Sequence, residues 1–225
     1  MRRTYPYSTY VFTAMGFQTI IHKRMLTHDN NVVIVIAKFK EDMRWINDLA
    51  YTYTIYDKSK NIPNVGREAE TYLRYIIEQY DNLPDYVVFL QGNPFDHLKE
   101  RSTNFINESI KSINSADIAV PLNNLSTEEH NRYTRTRESF TSLFDSPPSE
   151  QVLVSYGAQF IVPKSCITHR TKEFYELIRN VMVDVNNTQE LMTNCLVCPW
   201  TLERMWLYIF DKTIKSNDVK YQDLL

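Results

Sequence analysis

Glycine is scarce in this chain of 225 residues, which contains four: Gly16, Gly66, Gly92 and Gly157. Average usage is roughly 7%, so a chain with so few glycines is expected to keep them where a side chain cannot be tolerated. Gly66, Gly92 and Gly157 each lie beside other chemically informative residues. These three positions are therefore the first places to expect a functional site.

Long apolar runs and an excess of either charge are also lacking. The longest apolar stretches fall short of the about 18 residues that cross a membrane, which predicts no transmembrane segment. Lys and Arg total 25 against 27 Asp and Glu, and a near-neutral chain is a poor binder of nucleic acid because that affinity comes largely from phosphate neutralisation.

Cysteine is the third shortage, with three residues in all. An odd, small number implies no disulfide framework and favours a reducing compartment, which predicts a cytoplasmic location. The basic pair Arg2 and Arg3 precedes a mildly apolar stretch, but polar residues interrupt that stretch and disfavour a signal peptide.

Short β-branched or aromatic runs alternate with stretches whose apolar residues recur every three or four positions. This alternation predicts an α/β fold, a three-layer arrangement around a mostly parallel mixed sheet. The predicted strands cover residues 32–37, 51–56, 86–90, 117–121 and 159–163, and helices are expected near 41–49, 64–80, 105–113, 174–182 and 202–210.

The chain predicts a single domain over residues 31–212, with an N-terminal extension (1–30) and a polar C-terminal tail (213–225). Residues 122–150 are rich in Ser, Thr and charge and contain Pro147 and Pro148. A loop this long inside a compact domain is typical of a functional lid or a disordered segment.

Ligands of open α/β sheets bind outside the carboxyl ends of the strands, where strand order reverses. Polar clusters lie at predicted strand ends and at one helix N-terminus, which attracts phosphate. Each also has a plainer interpretation, as a helix cap, a surface ion pair or an isolated histidine. The cluster residues are Asp57, Lys58, Asn64, Gly66, Arg67, Gln91, Gly92, Asn93, Asp96, His97, Tyr156 and Gly157.

Two further groups stand near the C-terminus. Cys195 and Cys198 form one C-x-x-C, and without a second pair they are interpreted as core thiols rather than zinc ligands. Trp200, Glu203 and Arg204 share a helix face, which fits either a packed face with a buried ion pair or a carboxylate that lines a site. Walker A, G-x-G-x-x-G, G-x-S-x-G and H-E-x-x-H motifs are absent.

Several long blocks resemble a family known only as a domain of unknown function, found in fungi, plants and large viruses. The resemblance covers about residues 31–212 and, with the Asn- and Lys-rich composition, is compatible with a viral protein that acts in a host cell. The blocks are NVGREAETYLRYI from residue 64, FLQGNPFDH from 89, YGAQFIV from 156 and PWTLERMW from 199.

That family looks like a compact version of the nucleotide-sugar glycosyltransferases of the GT-A fold. In those enzymes the strand before the active site ends in Asp-x-Asp, which holds a divalent metal on the donor diphosphate. The comparable place here has Gln91, Gly92 and Asn93 instead. Asp96 or His97 would then supply the contact to Mn or Mg, or Arg67 and Lys58 would hold the diphosphate without metal.

The resemblance implies a glycosyltransferase whose substrates are a nucleotide sugar and a glycan or protein-linked acceptor. Asp57 and Lys58 would approach the nucleoside, the turn at residues 64–66 and Arg67 the diphosphate, and residues 91–97 the sugar-phosphate. Asp96 or Glu203 would be the general base. The alternatives are a non-catalytic nucleotide- or carbohydrate-binding module on the same fold, and a metal-dependent hydrolase that uses Asp96 and His97.

Overall fold

The computed structural model describes residues 8–14, 17–23, 31–60, 62–113, 117–129, 136–145, 151–185 and 196–217. Strands and helices alternate along them, which confirms the α/β class. The strands are β1 (Ser8–Ala14), β2 (Phe17–Lys23), β3 (Val32–Lys38), β4 (Thr52–Asp57), β5 (Tyr86–Gln91), β6 (Val120–Pro121), β7 (Leu125–Glu129), β8 (Gln151–Ser155) and β9 (Phe160–Pro163). The α-helices are α1 (Arg67–Gln79), α2 (Thr103–Lys111), α3 (Thr136–Leu143), α4 (Lys164–Thr168), α5 (Lys172–Val185) and α6 (Pro199–Ile209), and 3₁₀ turns cover Arg44–Asp48, Tyr80–Asn82 and Pro94–Asp96.

The main sheet has the strand order β1-β2-β4-β3-β5-β9-β6. Strand β3 is parallel to both of its neighbours, β4 and β5. The remaining described pairs are antiparallel, so the sheet is mixed, and the prediction that it is mostly parallel is wrong. The reason is that a hairpin adds β1 and β2 at one side, while β9 runs back along β5 at the other.

The reversed course of β9 brings a distant piece of chain to the edge where ligands are expected. Tyr86 pairs with Pro163 and Phe89 with Phe160, so the residues just before β9 arrive beside the carboxyl end of β5. The strand order also reverses here, because β4 and β5 lie on opposite sides of β3. This edge is therefore the expected position of a ligand site.

Helices cover both faces of the sheet and bury residues 86–90 of β5. Side chains of a strand alternate between faces, and on β5 Phe89 packs in a core with Tyr72 of α1 and Trp206 of α6. Leu90 packs on the opposite side with Ile106 of α2. This double burial explains why the strand is an unbroken apolar run in the sequence.

Residues 122–150 are not a structureless loop, which corrects the prediction for this segment. Strand β7 pairs with β8 in a two-stranded ribbon, and α3 buries Phe140 and Leu143. The sequence did not predict α3 because its buried apolar residues are few and stand among polar neighbours. Residues 130–135 and 146–150 of the predicted lid lie outside the described residues.

The two terminal segments extend the same packing. The predicted N-terminal extension includes β1 and β2, and β2 pairs with β4 of the main sheet. In the predicted tail, Ser216 bridges to Phe144, and the Asn217 amide donates to the Phe144 carbonyl oxygen at 2.8 Å. The predicted strand at 117–121 is reduced to the two residues of β6. No helix of the described residues is long and apolar enough to cross a membrane.

Candidate functional site

A cavity of about 230 Å³ opens at the carboxyl edge of the sheet, between the N-terminal turns of α1 and α6. Its walls come from four separate parts of the chain: the start of α1, the segment after β5, the turn before β9 and the start of α6. The lining residues are Arg67, Glu68, Gln91, His97, Tyr156, Pro199, Trp200 and Glu203. Five of them, Arg67, Gln91, His97, Tyr156 and Glu203, are residues that the sequence singles out.

A tight left-handed turn begins α1 at the cavity wall. Gly66 has φ 63° and its successor Arg67 has φ 49°, a region that side chains other than glycine rarely adopt. A Cβ on Gly66 would lie 2.7 Å from the Cβ of Glu70 and 2.8 Å from Cε of Met182. Glycine is therefore required at position 66, and the backbone strain at Arg67 is of the kind that is concentrated at functional sites.

Lys58 supports this turn from beneath. Its side chain is 3% exposed, and its ammonium pairs with the Glu70 carboxylate at 3.0 Å and donates to the carbonyl oxygens of Val65 and Arg67. Burial lowers the pKa of Lys58, while the Glu70 charge opposes that shift. Lys58 therefore reaches the turn that carries Arg67 and does not line the cavity.

The Arg67 guanidinium lies over the Trp200 ring, 4.9 Å from the ring centroid. The Arg67 side chain is about half exposed (55%), and its Nε is 3.8 Å from a Glu68 carboxylate oxygen. A cation held over an aromatic face keeps its hydrogen-bond donors free at the rim. Arg67 is thus placed to bind a carboxylate or phosphate through its planar fork.

Glu203 is fixed by the turn that precedes β9. Its Oε1 accepts a 2.6 Å hydrogen bond from the backbone N–H of Gly157. Gly157 has φ 83°, and a Cβ there would lie 2.6 Å from both Cβ and Cγ of His97. The absence of a side chain at position 157 therefore lets the α6 carboxylate and the His97 ring approach the same point.

Glu68 is the second carboxylate of the cavity. Burial, and then the nearby Glu203 charge, raise the pKa of Glu68 above its ordinary value. Both carboxylates also contribute to the raised pKa of Tyr72, whose main cause is burial. The Tyr72 hydroxyl has no hydrogen-bond partner among the described residues. Paired carboxylates in one cavity are an arrangement that acid–base catalysts use.

A buried amide network fixes the cavity walls relative to each other. The Gln159 amide nitrogen donates to the Pro94 carbonyl oxygen at 3.0 Å and to Asn123 Oδ1 at 3.1 Å. The Asn123 amide donates in turn to the Tyr156 carbonyl oxygen. Buried polar groups that are satisfied in this way rigidify their surroundings, so the segment after β5 and the turn before β9 are held together.

A buried ion pair supports the Tyr156 side chain. Arg204 Nη2 lies 2.9 Å from Glu128 Oε1, and both side chains are 5% exposed or less. The Tyr156 hydroxyl donates to the other Glu128 oxygen at 3.0 Å. The buried ion pair that the sequence allows on this face of α6 is therefore made by Arg204 with Glu128 of β7, which leaves Glu203 to the cavity.

The remaining predicted residues do not line this cavity. Asp57 pairs with Lys38 at 2.6 Å, and although burial opposes it, the hydrogen bonds from Lys38 and Ser59 lower the pKa of Asp57. Asn64 is exposed, and the cap of α1 is Gly66 rather than Asn64. Gly92 is buried, and Asn93 lines a different cavity.

The two predicted metal ligands, Asp96 and His97, have different surroundings. The Asp96 carboxylate is exposed and accepts a 3.0 Å hydrogen bond from the Asn93 amide, whereas His97 lines the cavity. Across the described ranges, no group of three or more His, Cys, Asp or Glu residues is placed to hold a metal ion. The donor set that the structure describes therefore does not fit a carboxylate-rich site for a divalent cation.

Sequence reasoning missed Glu68 and Trp200 as site residues. An acidic residue in the first turn of a helix is expected from the helix dipole alone, so Glu68 carried no separate signal. Trp200 was noted only as a packing residue. Both adjoin a predicted residue, Arg67, in space. The buried thiol interpretation is confirmed for Cys198, and Cys195 lies outside the described residues.

A family model described as "Protein of unknown function (DUF3431)" matches residues 34–119 and 112–222. These ranges contain every residue that lines the cavity. No curated protein and no solved structure matches the chain.

Proposed function

The chain belongs to the DUF3431 family of proteins of unknown function, and we propose that it is a glycosyltransferase that moves a sugar from a nucleotide-sugar donor to a hydroxyl of a glycan or protein-linked acceptor. The observation that carries the proposal is the cavity in which Arg67, Glu68 and Glu203 meet at the strand-order reversal. Glycosyl transfer needs a cation for the leaving diphosphate and a base for the acceptor hydroxyl, and these residues supply both.

Arg67 is the anion-binding group of the proposed site. Its guanidinium is half exposed, and the adjoining N-terminus of α1 adds a favourable dipole. Both favour the departing nucleoside diphosphate more as its negative charge develops. Interactions that strengthen in the transition state are those that accelerate the reaction.

Glu203 is the proposed general base. The Gly157 N–H occupies Oε1 and sets the direction of the carboxylate, which leaves Oε2 to accept the proton of the acceptor hydroxyl. In an inverting transfer the hydroxyl oxygen then bonds to the anomeric carbon, and the bond from that carbon to the diphosphate oxygen breaks. Glu68 lines the same cavity and can hydrogen-bond to a sugar hydroxyl.

Trp200 and Tyr156 give the cavity aromatic walls. Sugar rings present C–H faces that pack against aromatic rings, while their hydroxyls form hydrogen bonds with the surrounding polar groups. The Gln91 side chain also lines the cavity and makes no hydrogen bond within the described residues. These residues are the proposed contacts to the transferred sugar.

A non-catalytic binding module on the same fold is the second candidate. Neutral residues, Gln91 to Asn93, stand where GT-A enzymes carry metal-binding carboxylates, and neutral amides bind a hard cation less well. The cavity of about 230 Å³ is also smaller than the about 300 Å³ at which pockets for drug-sized ligands begin. A cavity of this size holds only the sugar part of a nucleotide-sugar donor, and the nucleotide would lie outside it.

Two measurements test the proposal. Thermal shifts against a panel of nucleotide sugars, each with manganese and with a chelator, identify the donor and the metal requirement, since a ligand at 100 times its Kd adds about 2.7 kcal/mol. Release of nucleoside diphosphate is then compared for the parent protein, Glu203→Gln and the control Glu108→Gln, an exposed carboxylate on α2.

We expect Glu203→Gln to lower turnover by about 10²- to 10⁴-fold while the donor's thermal shift is kept, and Glu108→Gln to change neither. A thermal shift without turnover in the parent protein would favour the binding module. Turnover unchanged in Glu203→Gln would remove the proposed base.

A further inference from the structure

A second, larger cavity of about 650 Å³ lies on the other side of the segment that follows β5. It is formed by this segment and by the chain that follows β3, so it opens at the same carboxyl edge of the sheet. Asn93 lines it, whereas Gln91, two residues earlier, lines the smaller cavity. Two residues span at most about 7 Å, so ligands bound in the two cavities would lie close to each other.

Two aromatic rings in this cavity are held in place by the fold. The Trp45 indole N–H donates to the Gly92 carbonyl oxygen at 2.9 Å. The Trp45 ring also contacts Phe95 edge to face, with 5.6 Å between ring centroids. Rings that are fixed before a ligand arrives lose little entropy on binding, which suits them to pack against a flat apolar surface.

The charges in the cavity exclude a phosphate-bearing ligand. The lining contains the carboxylates of Glu41, Asp42 and Asp48 against a single cation, Arg44, and Arg44 is already paired with Asp42 at 2.6 Å. Asp48 makes no side-chain hydrogen bond or ion pair within the described residues. This surplus of acceptors repels a diphosphate and suits a ligand that donates many hydrogen bonds.

Gly92 joins this cavity to the end of β5. A Cβ at position 92 would lie 2.5 Å from Oε2 of Glu41 and 3.2 Å from the Ala37 carbonyl oxygen. In a chain with four glycines, one is thus used to let a carboxylate approach the strand end. The Glu41 carboxylate of the acidic lining therefore lies next to the end of β5, the strand that also carries Gln91.

We propose that the cavity lined by Trp45, Phe95, Asp48 and Asn93 binds a neutral oligosaccharide, the acceptor of the transfer reaction. Carboxylate and amide oxygens accept hydrogen bonds from sugar hydroxyls, and the two rings pack against the C–H faces. The assignment as acceptor rests on the proposed function, because it places the acceptor opposite the donor across residues 91–97. The proposal that this cavity binds a saccharide depends only on its shape, rings and charges, and not on the proposed function.

The test titrates the full chain with neutral linear tetrasaccharides of glucose, mannose, xylose and N-acetylglucosamine, followed by saturation-transfer NMR and calorimetry. The variants are Trp45→Ala and Asp48→Asn, and Asp81→Asn is a matched control, an exposed carboxylate beyond the far end of α1. Melting curves establish that each variant is folded. If Trp45→Ala does not fold, Asp48→Asn still tests the proposal.

We expect one tetrasaccharide to bind the parent protein and to bind Asp48→Asn and Trp45→Ala about tenfold more weakly, with no change in Asp81→Asn. The thermal shift given by the donor nucleotide sugar should be the same in all four proteins. The proposal would be overturned if both cavity variants bound the saccharide as tightly as the parent protein does, or if the parent protein bound none of the tetrasaccharides. It would also be overturned if the cavity variants lost nucleotide binding and kept saccharide binding. The proposed function fails separately, through the absence of any response to nucleotide sugars.

Discussion

The backbone N–H of Gly157 donates a 2.6 Å hydrogen bond to Oε1 of Glu203, across 46 positions of sequence. This bond joins the turn before β9 to the first turns of α6 and fixes the orientation of the carboxylate. It forms because residue 157 has a left-handed backbone with no Cβ. The geometry of the proposed base is therefore set by a backbone position rather than by a neighbouring side chain.

Gly157→Ala is expected to destabilise the protein and to weaken the site. A Cβ there would lie 2.6 Å from the Cβ of His97, at a φ of +83°, and left-handed strain alone is worth about 1–3 kcal/mol. Chemical denaturation of the parent and variant proteins measures the loss. In the background of His97→Gly, which removes the steric conflict, the cost of Gly157→Ala should fall to that of the backbone strain. An equal cost in both backgrounds would contradict the close approach.

Glu68→Gln is expected to stabilise the protein at neutral pH. The folded pKa of Glu68 is raised above 4.5, first by burial and then by Glu203, so the unfolded chain ionises at lower pH than the folded one. Ionisation therefore favours unfolding as pH rises from about 4.5 through the folded pKa, and below that range both states hold the proton. Unfolding free energies at pH 4 and pH 7.5 measure the difference.

The benefit of Glu68→Gln should appear at pH 7.5 and vanish at pH 4. Glu108→Gln, which removes an exposed carboxylate, should give no such pH-dependent gain. Because sites of function are often destabilised, the same Glu68→Gln variant should also lose turnover. A gain of equal size at both pH values would show that packing, and not ionisation, is responsible.

Lys58→Met is expected to weaken both stability and donor binding. The substitution leaves the Glu70 carboxylate without its lysine and the carbonyl oxygens of Val65 and Arg67 without their donor. Removing one partner of a buried ion pair costs about 3–5 kcal/mol, here towards the lower limit because Arg74 and Arg179 remain on Glu70.

The matched control for Lys58→Met is Lys60→Met, whose side chain is 70% exposed. Denaturation should report a loss for Lys58→Met alone, and the thermal shift given by the donor should shrink for the same variant because the Arg67 turn is released. Normal donor binding by a folded Lys58→Met protein would contradict the positioning role.

Glu128→Gln is expected to cost about 3–5 kcal/mol, since it removes the charge of Glu128 from a buried ion pair with Arg204. The double variant Glu128→Gln with Arg204→Met should be less destabilised than the sum of the two single variants. The Tyr156 hydroxyl, which hydrogen-bonds to Glu128, makes the loss of donor affinity a second readout. Strict additivity of the two single changes would rule out coupling between them.

The sequence predicts the elements of the fold better than their pairing. The apolar run that forms β5 and the periodic stripe of α1 are local signals, and both elements appear where they are predicted. The direction of β9 is not a local property, because it depends on which strand edge is free when residues 160–163 arrive. Helix α3 was missed for a different reason: its few apolar residues stand among polar neighbours, so their spacing gave a weak signal.

The candidate site was predictable to the extent that strand ends converge. Gln91 follows β5, Arg67 begins α1, and the general rule for α/β sheets brings such residues to one edge. Lys58 also stands at a strand end, but nothing in the sequence shows that its ammonium turns inward to Glu70. Whether a polar side chain faces the ligand or the core depends on contacts between distant segments, and those contacts are known only from the structure.

The position of β9 between β5 and β6 also has a consequence for biosynthesis. While the ribosome is still making the second half of the chain, the backbone of β5 has an unfilled edge, and the proposed base on α6 has not yet been made. Bare strand edges on nascent chains promote association with other chains. We therefore expect truncated products that end before residue 160 to be insoluble and to lack any donor binding, however complete their first five strands are.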